Sequence, residues 1–476
     1  MLRSVGLRFL SLVLLVVGML GAAPATASAA RPLALGFFDG FSPGGSEGAV
    51  RLGEARALGG GVARILVGWS GVAPAVRRGD FRAADPGAPQ YNWSATDATV
   101  RDATARGLRV ILSINGAPRW AEGADRPPGA PPGSWRPSAG ALGDFATAAA
   151  RRYSGQYLDP VRPGTRLPRV RYWQVWNEPN LSEYLSPQWV TRGGRFRLES
   201  PRIYRAMLNA AYAGIKSVAR SNLVVSAGTA PYGDPSPGGR RVMPVRFWRS
   251  LLCVEGRRLR AVRCSRPARL DAISHHPYAV RGPRSRAVNA DDAAIPDVHK
   301  LVRVVRAAVR QRRVLPRRRK RIWVTEVSWD SRPPDPRGVP AATHARWLED
   351  SFFQLWRQGV DTITWFGVRD QPPSPSYAET YQSGVLFADG RPKLAARAFR
   401  FPFVMTRRSR GGAVAWGRAP VGGAVVIEQR RGRRWRARKT LRARRHGTFL
   451  VRLRARRGTT FRARLGRDTS LPWRLR

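Results

Sequence analysis

Val170-Arg171-Tyr172-Trp173-Gln174-Val175-Trp176-Asn177-Glu178-Pro179-Asn180 reads as a strand that runs into a polar, proline-terminated end. Val170, Tyr172, Trp173, Val175 and Trp176 are β-branched or aromatic, the types that fill a pleated, half-buried surface. Pro179 has no backbone N–H, so a central strand cannot continue through it. Glu178 therefore falls at the carboxyl end of a strand, beside the Asn177 amide. In barrels and open α/β sheets, that end carries ligands and chemistry.

A second carboxyl occupies the same setting far downstream. In Arg321-Ile-Trp-Val-Thr-Glu-Val-Ser-Trp-Asp330 an apolar strand leads into Glu326, with Trp329 close behind. Two strand-end glutamates framed by tryptophan suit cleavage of a glycosidic bond. One carboxylic acid protonates the leaving oxygen; the other carboxylate attacks the anomeric carbon or activates water. Aromatic faces suit the C–H groups of sugar rings. The competing reading makes each glutamate a buried partner of an arginine.

Outward from these two strands, the chain alternates. Residues 33–37, 62–67, 108–114, 223–227, 270–275 and 361–366 share the strand character of the two glutamate segments. Helical patterning occupies 46–58, 95–106, 139–153, 245–252, 341–358 and 394–398. A long helix is predicted from Ser200-Pro201, a serine cap with proline at the first helical position. Ile203, Met207, Leu208, Ala211, Ile215 and Val218 then recur at helical spacing. Leu301, Val304, Val305, Ala308 and Val309 mark another helix. Eight strands alternating with helices predict an α/β fold, a (β/α)8 TIM barrel over residues 31–400. A doubly wound open sheet fits less well, because no Gly-rich phosphate turn follows the first strand.

From about Phe401 the helical pattern ends. Phe449, Val451, Leu453 and Ala455 alternate with Leu450, Arg452 and Arg454, and Phe461, Ala463 and Leu465 alternate with Arg462 and Arg464. Gly432, Gly447 and Gly458 fall where hairpins should turn. Residues 401–476 are therefore expected to form a small basic all-β domain whose only acids are Glu428 and Asp468. Two readings of it stand: a passive domain that caps the barrel, or a contact for an anionic polymer or cell surface.

The formal net charge is +53, and only five of the 84 basic residues are lysine. The charge attracts polyanions without selectivity. The arginine skew, beside abundant Ala and Gly, also fits GC-rich coding. A nucleic-acid or envelope polyanion binder would leave the strand-end glutamates unexplained.

Arg3 and Arg8 precede an apolar run over 9–20, followed by Ala-Thr-Ala-Ser-Ala-Ala ending at Ala30. That pattern predicts a secretory leader over 1–30, removed near Ala29 or Ala30. The run is short for a membrane span, and no later segment is a candidate. The expected location is thus secreted or envelope-associated. Export makes Cys253 and Cys264, eleven positions apart, a candidate disulfide; two free thiols are the alternative. His275 and His276 are adjacent, but only five histidines exist and no Cys or carboxylate cluster accompanies the pair in sequence. No metal and no cofactor is expected.

Trp-Asn-Glu-Pro-Asn at 176–180 and Val-Thr-Glu-Val-Ser-Trp at 324–329 resemble the acid/base and nucleophile motifs of clan A retaining glycoside hydrolases, barrel enzymes with the two glutamates at the ends of strands four and seven. The resemblance spans roughly residues 33–399. Both the cellulase-like family 5 and the β-xylosidase-like family 39 patterns fit. Arg64 resembles the strand-two arginine that borders the nucleophile. His276-Pro277-Tyr278 resembles the strand-six His-x-Tyr, and Trp365 the strand-eight tryptophan under the cleaved sugar. Asn177 matches the asparagine that holds the sugar 2-hydroxyl. Trp120 is read either as a sugar platform or as core.

The resemblance implies that Glu178 is the general acid/base, with a raised pKa, and Glu326 the ionised nucleophile, favoured by Arg64 and by a hydrogen bond from Tyr278. A retaining pair should stand about 5–5.5 Å apart. The implied partner is a carbohydrate. The alternative is an inactive barrel that binds polysaccharide without cutting it.

Overall fold

The computed structural model describes residues 30–39, 46–409 and 411–476. The expected leader lies outside them except for Ala30. Eight parallel strands close into a barrel: β1 (Ala34–Phe38), β2 (Val62–Gly68), β3 (Arg109–Asn115), β4 (Tyr172–Val175), β5 (Leu223–Thr229), β6 (Ala272–His275), β7 (Arg321–Val324) and β8 (Thr362–Phe366). Each pairs with the next, and β8 closes on β1 in the register Ala34↔Thr362 to Phe38↔Phe366. Helices α1 (Ser46–Ala57), α2 (Ser94–Ala105), α3 (Ala139–Arg152), α4 (Ser200–Val218), α5 (Pro244–Leu251), α6 (Val298–Arg310), α7 (Ala341–Arg357) and α8 (Leu394–Arg400) accompany the strands. The expected barrel is the observed one.

Side-chain alternation sorts each strand into an outer and an inner face. Ile65, Val67, Leu112, Val175 and Ile363 pack outward into the main core. The inner face is layered. Val62, Ile111, Val225, Ala272 and Trp323 form an apolar plug at the amino end, with Ala34, Tyr172 and Leu223 against it. One layer above, Arg64, Ser113, Gln174, Ser226, Ser274, Thr325 and Thr364 are all buried and polar. Buried polar groups must find partners, and these find one another. Gln174 Nε2 donates to Thr325 Oγ1 at 3.0 Å, and Ser274 and Thr325 share a hydrogen bond of 2.6 Å. Thr364 donates to the Thr325 carbonyl at 2.6 Å. This mesh is the floor on which the carboxyl-end loops rest.

Several boundaries differ from the sequence reading. β4 starts at Tyr172, because the buried Val170 gives its N–H to the Tyr153 carbonyl instead of a ladder partner. β6 starts at Ala272 and not at 270. Helix α4 includes Ser200, with Glu199 in the cap position. Ser200 does not cap: its hydroxyl donates to Gln188 Oε1 at 2.7 Å.

After α8 the chain forms two antiparallel sheets. One contains β9 (Phe403–Arg407), β10 (Gly412–Arg418) and β13 (Thr448–Arg454); the other contains β11 (Gly423–Arg431), β12 (Arg434–Ala443) and β14 (Thr460–Leu465) with two short edge ladders. Phe403, Val425, Ile427, Leu441, Phe449, Phe461 and Ala463 fill the space between them. Gly432, Gly447 and Gly458 sit in the connections after β11, β12 and β13. Glu428 accepts from both Arg462 and Arg464 at 2.7 Å. The β sheets dock on the barrel through α7: Phe353 and Trp356 meet Trp416, and Glu349 faces the Phe403 amide. Cys253 and Cys264 form a disulfide with a Cα–Cα separation of 6.0 Å. Among the described residues, no helix is long and apolar enough to cross a membrane.

Candidate active site

At the end of β4 the backbone leaves the strand through two left-handed residues, Trp176 at φ 77° and Glu178 at φ 32°. Such conformations cost a non-glycine residue about 1–3 kcal/mol each and need outside support. The Trp176 N–H donates to the Ile114 carbonyl at 2.7 Å, and its indole to the Tyr184 carbonyl at 2.8 Å. The Glu178 N–H donates to the Gly228 carbonyl at 3.0 Å. Held in this way, Asn177 and Glu178 are both carried to the barrel mouth.

Glu326 follows β7 and meets them from across the barrel. Arg64 NH1 donates to Glu326 Oε1 at 2.5 Å, and Tyr278 OH to Oε2 at 3.1 Å. The fully buried Arg64 guanidinium also reaches Gln174 Oε1 at 2.7 Å, Asn177 Oδ1 at 2.9 Å and Ser113 Oγ at 3.2 Å. Asn177 thereby points its carbonyl at Arg64 and leaves its amide N–H groups for another acceptor.

His276 stands between the two acids. Its Nδ1 lies 2.8 Å from Glu178 Oε1, and its Nε2 lies 2.9 Å from Thr325 Oγ1 and 3.6 Å from Glu326 Oε1. Gly228 makes room for it: a Cβ there would lie 2.0 Å from His276 Nε2. His275 is different. It bonds Thr229 and the Ala293 carbonyl, and burial drives its pKa down to about 3, so it is a neutral structural imidazole.

The two carboxyls are pushed in opposite directions. Burial raises the Glu178 pKa above the ordinary value, and this outweighs the opposing pull of His276. Burial works against Glu326 too. There, however, the neighbouring His276, Arg64 and the Tyr278 hydroxyl prevail and hold its pKa below the ordinary value. One acid is thus poised to keep a proton and the other to lose it, the division that acid/base and nucleophile roles need. A carboxylate oxygen of each lies within 4.8 Å of one of the other, nearer the close spacing of retaining pairs than the wide one of inverting pairs.

Six of the expected site residues therefore come together: Arg64, Asn177, Glu178, His276, Tyr278 and Glu326. Two do not. Trp365 lies on the outer face of β8, fully buried against Trp329, His344 and Phe352, with its indole bonded to the Ser383 carbonyl. No sugar can reach it there. The residue that faces the mouth is its neighbour Phe366, which meets Phe38 at 5.2 Å and Tyr381 at 4.8 Å between ring centroids; Phe38 in turn lies under Arg64. The alternation Thr362, Thr364, Phe366 carried that signal, because polar threonines inside the barrel put residue 366 on the same side. Trp120 bonds the Pro74 carbonyl and packs edge-on against Trp69 and Phe81, so its contacts are with a wall loop. No sequence pattern marks Tyr184 or Tyr381. Both lie close enough that, after burial, the two glutamates help raise their pKa values.

In space, a carboxylate cluster does accompany His276. Glu178, His276 and Glu326 each offer a donor atom within 4.8 Å of the others. The geometry gives this cluster another occupation. Arg64 already supplies the positive charge at Glu326 Oε1, and Nδ1 of His276 is engaged with Glu178.

No family model matches the chain, and no curated protein matches it by sequence. Solved structures do match. A family 39 glycoside hydrolase from the gut symbiont Bacteroides cellulosilyticus superposes with a TM-score of 0.53 at 16% identity, covering 88% of this chain and 81% of that one. A glucosidase from Croceicoccus marinus gives a TM-score of 0.50 at 15% identity, covering 88% and 83%. The likeness is one of fold. It extends over the barrel and into the C-terminal sheets, since 88% of 476 residues exceeds the barrel alone.

Proposed function

We propose that the chain is an exported retaining glycoside hydrolase that cleaves O-glycosidic, β-configured bonds of a polysaccharide or oligosaccharide. The single observation that carries this reading is the meeting of Glu178 and Glu326, from the ends of β4 and β7, across a narrow gap bridged by His276, with Arg64 and Tyr278 bonded, of the two acids, to Glu326 alone. Glu178 gives its proton to the glycosidic oxygen as the bond to the anomeric carbon breaks, and Glu326 attacks that carbon to form a glycosyl ester. Arg64 and Tyr278 hold the Glu326 oxygens so that the attacking lone pair faces the sugar. Glu178, now ionised, removes a proton from water, which displaces Glu326 and restores the original anomeric configuration. Asn177 offers its amide to the sugar 2-hydroxyl, and Phe38, Phe366 and Tyr381 supply apolar wall. The N-terminal leader pattern and the disulfide support export.

The neighbour described as a glucosidase puts β-glucosides first in the assay. Aryl β-glycosides of gluco, xylo, manno and galacto configuration should be tested, with NMR of the first-formed anomer. Turnover with a β-anomer product supports the reading. Turnover with inversion removes Glu326 as nucleophile. Binding without turnover on the whole panel supports a binding barrel instead.

A further inference from the structure

A cavity of about 740 Å³ opens at the amino end of the barrel, opposite the carboxylates, where the C-terminal sheets meet the first strands. Arg31, Arg109, Arg319, Lys320, Arg321 and Arg418 line it, against a single acid, Asp361. Asp361 is already engaged by Arg321 at 3.1 Å. Lys320 is occupied by the Leu270 and Pro316 carbonyls, and Arg31 by the Trp356 carbonyl.

Arg109 and Arg319 are exposed to water, whereas Arg418 is buried. It ends β10, is 2% exposed, and makes one long hydrogen bond, from NH2 to the Gly59 carbonyl at 3.4 Å. Its Nε and NH1 have no partner among the described residues, nor do Nδ1 and Nε2 of the adjoining His446. A buried guanidinium without a counter-charge is strongly destabilising. Burial, then repulsion from Arg109, lowers its pKa to about 9. A ligand that suits this place must be anionic, compact and rich in acceptors, because it has to satisfy a planar fork of N–H donors at the base of a positively charged cup.

We propose that this cavity is a binding site for a phosphate-type tetrahedral oxyanion, held by Arg418 at its base and by Arg109 at its rim, and distinct from the glycosidase cleft. Such an anion would bridge the barrel and the C-terminal sheets and lock them together.

The test is titration of the full chain with inorganic phosphate at constant ionic strength, by calorimetry and by thermal unfolding. Saturable binding and a rising Tm are expected, with chloride ineffective. Arg418→Met should weaken phosphate at least tenfold and, because it removes an uncompensated buried charge, raise the Tm measured without phosphate. Arg438→Gln, on the exposed face of β12, should leave phosphate affinity unchanged. If Arg418→Met does not fold, Arg109→Gln at the exposed rim should weaken phosphate several-fold. A phosphate response in wild type no larger than that of chloride would overturn the proposal, and so would an equal response in the rim variant and in Arg438→Gln. Linear polyphosphate that displaces bound phosphate assigns the site to an anion carried on a polymer. Failure to displace assigns it to the free ion, and both results retain the site.

Discussion

Nδ1 of His276 lies 2.8 Å from Oε1 of Glu178, while the other ring nitrogen faces Glu326 at 3.6 Å. One imidazole therefore touches both acids, and its proximity pulls the pKa of each downward. His276→Gln keeps a hydrogen-bonding group but removes the imidazole that lowers both pKa values. The acid limb of kcat/KM reports Glu326 ionising and the alkaline limb reports Glu178 losing its proton. Both limbs should move to higher pH. A pH–rate profile with unchanged limbs would reduce His276 to a spacer.

Glu326→Ala should lower kcat by on the order of 10⁴–10⁶, the scale seen when a covalent nucleophile is removed. Azide or formate should restore part of the rate on activated substrates by standing in for the missing carboxylate. Rescue with azide should give a glycosyl azide of inverted configuration. A variant that stays dead with both anions would argue against attack by this residue.

Glu178→Ala should lose about 10²–10⁴-fold on substrates with poor leaving groups and much less on those with good ones. The check is a plot of log kcat against leaving-group pKa, which should be steep for the variant and shallow for wild type. Parallel plots would mean that the proton comes from elsewhere.

Phe366 and Trp365 should separate substrate contact from stability. Phe366→Ala removes a ring from the mouth and should raise KM several-fold with little change in Tm. Trp365→Phe leaves a void in a fully buried layer and should cost about 1–3 kcal/mol with catalysis nearly intact. Activity and thermal-melt measurements on the two variants should give opposite patterns; the same pattern in both would return Trp365 to the site.

Glu349 ties pH to the docking of the C-terminal sheets. It is fully buried beside Arg346 and the Phe403 amide, and burial raises its pKa from 4.5 to about 8. Folding thus favours the protonated form. The contribution is complete below about pH 4.5 and is lost as pH rises through about 8, a swing on the order of a few kcal/mol. Tm should fall across that window in wild type and fall less in Glu349→Gln. Identical pH dependence in the two would show that Glu349 is ionised throughout.

The barrel was legible because each strand reads locally: Val62 to Val67 and Thr362 to Phe366 carry their own β character, and Glu178 sits next to Pro179, which stops a strand. The resemblance to clan A glycoside hydrolases also pointed to Arg64, Asn177 and Tyr278. What it could not supply was rotation about the strand. Trp365 and Phe366 are adjacent aromatics, and only the inner-face threonines tell which one looks inward. His276 was visible as a candidate, but its approach to both acids joins residues 98 and 50 positions away in the chain, and no local pattern encodes such a meeting. The unpaired Arg418 was invisible for the same reason: one arginine among many shows nothing until its neighbours are known.

Gly228 has a bearing beyond this molecule. The space its missing side chain leaves is filled by the imidazole, and even an alanine there would collide with the ring. Position 228 can thus serve as a marker when barrels of this shape are surveyed. A chain with any larger residue at the matching place must seat its strand-six histidine elsewhere, and its two acids would have to set their proton affinities by other means.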